Sequence, residues 1–293
     1  MYRRAIGKHV RKGDTVVDLG TGTGVLAMFA ARAGAGVVHA IEYGPIIDAA
    51  QAVARDNGID RIRFHRIHSR SFTLDKPADV IVHEQIGEAA FDEHVIANLS
   101  DLRDRIMRPG GALIPWGVPM FIEPIPMRAG SRIPFSYEQG FDGISFRSLK
   151  AVADAQPLTY RYKTERRLPV DCLLCDPRPV VVIDFQTARP GDLPDRVSYE
   201  RKVAHEGSFD GFCVYFPLDF DDDISSANSP DRGGVSWANA MASDGDPSGE
   251  PRRRHQARPR GRRPHLPQHM ALDRWIAPHG GGPSVCSARA DCG

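Results

Sequence analysis

Lysine is scarce in this chain. Lys8, Lys12, Lys76, Lys150, Lys163 and Lys202 are the only ones among 38 lysines and arginines. Arginine codons are GC-rich, which suggests a GC-rich genome. A charge bias is also missing: 37 acidic residues leave a formal net charge of +1, which excludes the profile of a strongly basic nucleic-acid binder. No apolar run approaches the roughly 20 residues that span a bilayer, and the N-terminus lacks the apolar core of a secretory signal. A cytoplasmic protein without a membrane segment is expected. Cysteines number five and default to free thiols in a reducing compartment. Cys172 and Cys175 form a CxxC pair, but no second pair follows at finger spacing. A structural zinc wants four ligands, so no metal site is expected.

Apolar residues make up 41% of the chain, enough for a sizeable core. Residues 15–20, 37–42, 62–67 and 79–84 read as short buried strands. Helical patterns at 25–33, 45–56 and 92–107 alternate with them, and the Arg108-Pro-Gly-Gly111 turn precedes a strand at 112–115. That alternation predicts an α/β fold with a parallel, doubly wound sheet over residues 1–116. From residue 117 prolines become frequent and strand-like runs take over, at 118–125, 179–185, 197–204 and 211–217, predicting a mostly β domain over 117–240. Residues 128–165 fit either helices or an arm. After 241 there is no Phe or Tyr, and Arg, Pro, His and Gly cluster. Such composition cannot bury enough apolar surface to offset its ordering entropy, so 241–293 is expected to be disordered.

Asp18-Leu-Gly20-Thr-Gly22-Thr-Gly24 follows a strand and opens a helix. Glycines let the turn tighten and the backbone approach a ligand, and the helix N-terminus offers free N–H groups to an anion. Glu42 ends the next strand at the distance expected of a ribose-binding carboxylate. The even glycine spacing differs from GxGxxG and resembles motif I of the class I methyltransferases, whose fold is Rossmann-like. The resemblance implies S-adenosyl-L-methionine as cofactor. Asp18, Gly20, Thr21, Gly22, Gly24, Leu26 and Glu84 would contact it, Asp18 and the glycines lining its methionine side, and Glu42 would hold the ribose hydroxyls. His68 and Ser69 would meet the adenine, although a plain surface loop fits them equally.

His83-Glu84-Gln-Ile-Gly87-Glu-Ala-Ala-Phe-Asp-Glu93 places Glu84 at the end of a strand and Glu93 at the start of a helix. The stretch resembles the double-glutamate loop of the protein arginine N-methyltransferases in spacing and in the glycine three residues after the first glutamate. The likeness extends through Tyr2-Arg-Arg-Ala-Ile6, Leu26–Ala35, Arg108–Pro115, Ser229-Pro230 and Ser236-Trp237, covering roughly residues 1–240. It implies a Rossmann-like domain followed by an incomplete β-barrel, with a dimerisation arm within 128–165 and a homodimer. Glu84 and Glu93 would be the catalytic carboxylates that clamp an arginine of a protein or peptide. The chemistry is coherent, because a guanidinium pairs bidentately with carboxylates and fixed carboxylates stabilise the charge it gains on methylation.

Three departures bear on activity. The chain starts at Met1-Tyr2, inside what the resemblance makes an N-terminal helix. Ser236 stands where the family has a histidine. Barrel-like sequence stops near Ala240, and Pro251–Pro264 looks like out-of-frame translation of GC-rich DNA, or a basic arm. Two alternatives follow: a methyltransferase of this fold acting on a small molecule or a ribosomal protein, and an inactive fragment.

Overall fold

The computed structural model describes residues 1–87, 94–126, 137, 140–155, 162–165, 173–194, 197–207, 211–226, 239–242, 269–276 and 285–289. It resolves into two compact units. The first comprises residues 1–120, 181–194 and 216–228, and the second comprises 121–180, 195–215 and 229–293.

The first unit opens with helix α1 (Tyr2–His9) and then alternates: β1 (Thr15–Leu19), α2 (Val25–Ala33), β2 (Val37–Ile41), α3 (Ile47–Asp56), β3 (Ile62–His65), a single 3₁₀ turn (Ser69–Ser71), β4 (Ala78–His83), α4 (Val95–Ile106) and β5 (Met107–Ile114). The sheet order is β3-β2-β1-β4-β5, every pair parallel. Strands such as Thr15-Val-Val-Asp-Leu19 are almost wholly buried, as expected when helices cover both faces. Apolar spacing gives the helices their inward stripe. Ile47, Ala50 and Ala54 of α3 and Val95, Leu99, Leu102 and Ile106 of α4 are all buried.

The doubly wound sheet is therefore the expected one, with two local differences. Helix α4 runs from Val95 where 92 was expected as the start, and residues 88–93 lie outside the described residues. The expected turn at 108–111 is instead a bulge inside β5. Ala78 pairs with Met107 while Val80 pairs with Ala112, so three extra residues loop out, with Gly110 at φ +70°.

Strand β6 (Gly117–Ile125) begins in the first unit and ends in the second. Its first half pairs antiparallel with β8 (Val181–Asp184), and Gly117 also meets Asp219 of β11 (Asp219–Asp221), which forms a hairpin with β12 (Ile224–Ser225). Arg103 ties the returning segment to α4. It is buried and donates from Nη1 to the Phe185 carbonyl at 2.6 Å and to the Ala188 carbonyl at 3.3 Å.

In the second unit the rest of β6 pairs antiparallel with β10 (Gly211–Tyr215), β10 with β13 (Asn239–Ala242), and β13 with β7 (Tyr162–Glu165). The antiparallel sheet matches the β character expected after residue 117. Helix α5 (Leu149–Ala155) falls within the ambiguous 128–165 segment. In the C-terminal stretch expected to be disordered, β14 (His269–Ile276) and β15 (Val285–Arg289) form, with β14 pairing on β9 (Tyr199–Lys202). The difference has a local cause. Met270, Ala271, Leu272, Trp275 and Ile276 make this the most apolar run after residue 241, and the edge of β9 offers backbone partners that composition cannot reveal.

Candidate functional site

The chain leaves β1 for β2 and β3 on one side, then returns to place β4 on β1's other flank. The carboxyl ends of β1 and β4 therefore bound the crevice where doubly wound sheets bind ligands. Register makes the juxtaposition close: Leu19 pairs with His83, so the next residues, Gly20 and Glu84, emerge side by side. Leu19 also pairs with Ile41, which sets Glu42 on the other side of the glycine turn.

The turn is built by its own backbone and by Asp18. The N–H groups of Gly20 and Thr21 donate to the Ile41 carbonyl at 3.0 and 2.9 Å. Gly24, at φ +83°, caps α2 in the left-handed conformation that glycine tolerates best. Asp18 is fully buried. Its Oδ2 accepts from the Thr21 hydroxyl at 2.5 Å and from the Ala27 N–H at 3.0 Å, while Oδ1 has no hydrogen-bond partner among the described residues. Burial, opposed by those two bonds, pushes the Asp18 carboxyl up to about 6. Thr21 and Leu26 are buried beside it.

Glu42 braces the far side of the turn. Its Oε2 accepts from Gly22 N–H at 3.1 Å and its Oε1 from Gly44 N–H at 2.7 Å. Beyond it, the exposed Tyr43 ring lies 6.2 Å from His68, centroid to centroid. His68 caps the 3₁₀ turn, its Nδ1 accepting from Arg70 N–H at 3.3 Å. Ser69 is buried, and its carbonyl accepts from Arg105 at 3.0 Å. Part of the pair's role is thus local structure.

Glu84 is exposed at the end of β4. The preceding His83 is fully buried with its ring edge-on to Phe185 at 5.2 Å, and neither ring nitrogen has a hydrogen-bond partner among the described residues. Burial, opposed by the Pro115 carbonyl, pushes His83 down to about 3. Glu93 and the competing Glu88 lie outside the described residues, as do Ser229-Pro230 and Ser236-Trp237. Of the two expected catalytic carboxylates, then, Glu84 is the one that can be placed.

Two residues without an expected role stand at this site. Gln85 folds back over the glycine turn, so that a Cβ on Gly20 would lie 2.9 Å from its Nε2, and its Oε1 faces Asn98 Nδ2 at 3.5 Å. Tyr2 reaches in from α1 and donates to the His83 carbonyl at 2.9 Å. Gln85 could have been suspected as the polar neighbour of Glu84. Tyr2 could not, because its partner is 81 residues away. Among the described residues no group of three or more His, Cys, Asp or Glu could hold a metal ion, and no helix is long and apolar enough to cross a membrane.

Comparison with known proteins agrees with this fold. The family model described as ribosomal protein L11 methyltransferase (PrmA) matches residues 3–119. Protein arginine N-methyltransferase 1 of Caenorhabditis elegans is 26% identical over 227 residues, covering 75% of this chain and 63% of the relative. Its Dictyostelium discoideum namesake is 25% identical over 75% of this chain and 64% of its own length. Protein arginine N-methyltransferase 6 of Danio rerio is 28% identical over 82% and 71%. The chain thus spans just under two thirds of the first two relatives. Among solved structures, an open conformation of Arabidopsis thaliana protein arginine methyltransferase 10 superposes with a TM-score of 0.73 at 20% identity, covering 98% of this chain and 92% of that one. The Trypanosoma brucei PRMT1 enzyme-prozyme heterotetramer with AdoHcy gives 0.71 at 20% identity, over 94% and 82%. PRMT6 with SAH gives 0.69 at 18% identity, over 98% and 95%. These structures share the fold. The chain is thus similar in sequence to protein arginine N-methyltransferases and has the class I methyltransferase fold.

Proposed function

We propose that this chain is an S-adenosyl-L-methionine-dependent methyltransferase that acts on arginine guanidinium nitrogens of a protein or peptide. One observation carries the reading: the β1–β4 register sets the glycine turn and Glu84 side by side at the topological switch point. The S-adenosylhomocysteine named in the T. brucei and PRMT6 structures supports the same cofactor class.

The residues fit such a group. The unpartnered Asp18 Oδ1 is a buried acceptor that an ammonium would satisfy, and the left-handed Gly24 opens α2 toward a carboxylate. The carboxylate of Glu42, already held by two backbone N–H groups, is oriented to take hydroxyl donors. When bound, the cofactor supplies an electrophilic methyl on a sulfonium. Glu84 accepts hydrogen bonds from the guanidinium fork and holds one nitrogen in line with that methyl. As positive charge builds on the guanidinium, Glu84 is a fixed anion facing it, and Glu93 shares this task by the family resemblance; the methylated nitrogen then gives up one N–H proton to solvent, leaving a singly charged methylguanidinium. Free thiols at Cys175 and Cys213 support a cytosolic setting, and the heterotetramer among the structural neighbours supports an oligomeric one, a homodimer in the simplest case.

Glu84→Gln tests the reading. It should bind S-adenosylhomocysteine like the parent but methylate arginine peptides about 10²- to 10³-fold more slowly. Full retention of transfer would remove the carboxylate from the mechanism. The match to the ribosomal protein L11 methyltransferase model favours a second acceptor class, so a ribosomal protein fraction belongs in the same assay.

A further inference from the structure

Helix α1 is fastened to the β11–β12 hairpin at both of its ends. Near its C-terminus, Lys8 Nζ lies 3.0 Å from Asp221 Oδ2 and 2.7 Å from Asp223 Oδ2, and His9 Nε2 lies 2.9 Å from Asp221 Oδ2. Asp221 is itself fixed, because its Oδ1 accepts from the N–H groups of Asp223 and Ile224 at 2.8 and 2.9 Å. At the N-terminal end, the Tyr2 ring sits edge-on to the buried Phe220 with centroids 4.8 Å apart and planes at 84°. These contacts aim one hydroxyl at one carbonyl: Tyr2 Oη donates to the His83 oxygen at 2.9 Å.

That carbonyl is the last backbone acceptor of β4 before the chain turns out to Glu84. Beyond it the ladder to β1 ends, since Leu19–His83 is the final pair. A strand end without further ladder bonds frays unless something else holds it. We propose that Tyr2 is a positioning residue for the acceptor carboxylate, its hydroxyl holding the end of β4 from which Glu84 emerges. The inference rests on the reading of Glu84 given above. Burial, followed by the nearby charges of Glu84 and Asp18, raises the Tyr2 phenol well above its usual value, so it remains a donor wherever the protein is folded.

Tyr2→Phe in the full chain keeps the ring on Phe220 and deletes only the hydroxyl. Two readouts are taken: steady-state methylation of an arginine peptide together with calorimetric binding of S-adenosylhomocysteine, and amide hydrogen exchange over residues 84–87. We expect kcat/KM for the peptide to fall roughly three- to tenfold, the loss of one ordinary hydrogen bond, with product affinity unchanged within about twofold. Exchange at 84–87 should quicken while that of β1 does not. Unchanged transfer and exchange would overturn the proposal, as would a parallel fall in product affinity, which would indicate a general structural role. If the parent chain binds S-adenosylhomocysteine but methylates no arginine peptide, the acceptor assignment fails. Exchange at 84–87 then decides the positioning claim alone, quickening supporting it and parity overturning it. Should Tyr2→Phe not fold, Asp221→Asn loosens α1 from the other end and must show the same selective quickening.

Discussion

Acid should unfold the first unit in part through His83. The ring is wholly enclosed and its pKa is pushed down to about 3, whereas in the unfolded chain it returns to 6.5. A group depressed in the folded state contributes stability that is complete above the unfolded pKa and lost as pH falls toward the folded one. The window is therefore pH 6.5 down to 3. Between those limits the unfolded state binds the extra proton, so stability rises with pH. At about 1.36 kcal/mol per pKa unit, the ceiling is about 5 kcal/mol, a large share of a typical domain's stability. His83→Leu removes the titration and replaces two unpartnered nitrogens by apolar volume, a change that is often neutral at pH 8. Urea unfolding of both proteins, followed by far-UV circular dichroism at half-unit steps from pH 4 to 8, isolates the effect. Asp18, His39 and Glu123 titrate in both proteins and cancel in the difference. The gap should be near zero at pH 8 and widen below pH 6.5 in favour of the variant. Parallel pH dependences would refute the claim that His83 is held neutral by burial.

Two further perturbations follow from single side chains. Gly20→Ala sets a Cβ at φ +70° and 2.9 Å from Gln85 Nε2, so it should cost about 1–3 kcal/mol in thermal stability and weaken S-adenosylhomocysteine binding measured by calorimetry. Glu123 in the second unit has the opposite pH sign to His83. It is fully buried, Oε1 accepts from Arg178 N–H at 3.0 Å, and Oε2 has no partner among the described residues, with the Arg201 Nε 3.9 Å from Oε1. Desolvation outweighs Arg201 and raises the carboxyl from 4.5 to about 7. The folded state then holds its proton more tightly, so stability declines as pH rises from 4.5 to 7. Glu123→Gln should flatten that decline and melt higher than the parent at pH 8; an unchanged slope would show that Arg201 neutralises the carboxylate after all.

Most of the first unit was legible because its signals are local. Buried runs such as Thr15–Leu19 and Val37–Ile41, glycines between strand and helix, and period-3.6 patterns each lie within a dozen residues. The glycine turn, Asp18 and Glu42 could be named for the same reason. What escaped reading depends on partners far away in sequence. Residues 181–194 and 216–228 return to the first unit through β8 pairing on β6 and through Arg103 reaching Phe185 and Ala188. Tyr2 acts on His83, and Gln85 on Gly20. The bulge after Met107 was read as a turn because Pro109, Gly110 and Gly111 carry turn chemistry whether or not a strand resumes on the same register. His68 could not be decided from sequence since a capping imidazole and a ligand-facing one leave the same residue in the same loop.

The distribution of unsatisfied groups gives an independent argument for where the first unit works. Its buried side-chain atoms without a hydrogen-bond partner, among the described residues, are Asp18 Oδ1 and the two ring nitrogens of His83. Leaving such an atom unpaired costs on the order of 1–3 kcal/mol, a loss that selection for stability alone would remove with an apolar side chain. Here they are not scattered. Asp18 precedes the last residue of β1, His83 is the last of β4, and the two strands are hydrogen-bonded neighbours with Leu19 opposite His83. Local destabilisation at the carboxyl ends of two adjacent parallel strands, on either side of the point where strand order reverses, is the pattern expected where a fold gives up stability to keep polar groups available. A cationic ligand group that satisfies Asp18 Oδ1 must also favour the ionised carboxylate, so binding should draw its pKa below about 6 and release a proton near that pH. Calorimetry of S-adenosylhomocysteine binding at pH 6 in two buffers of different ionisation enthalpy measures that proton directly. Proton release at pH 6 that vanishes at pH 8 is the expected result, and a buffer-independent enthalpy at pH 6 would place the ligand's ammonium elsewhere.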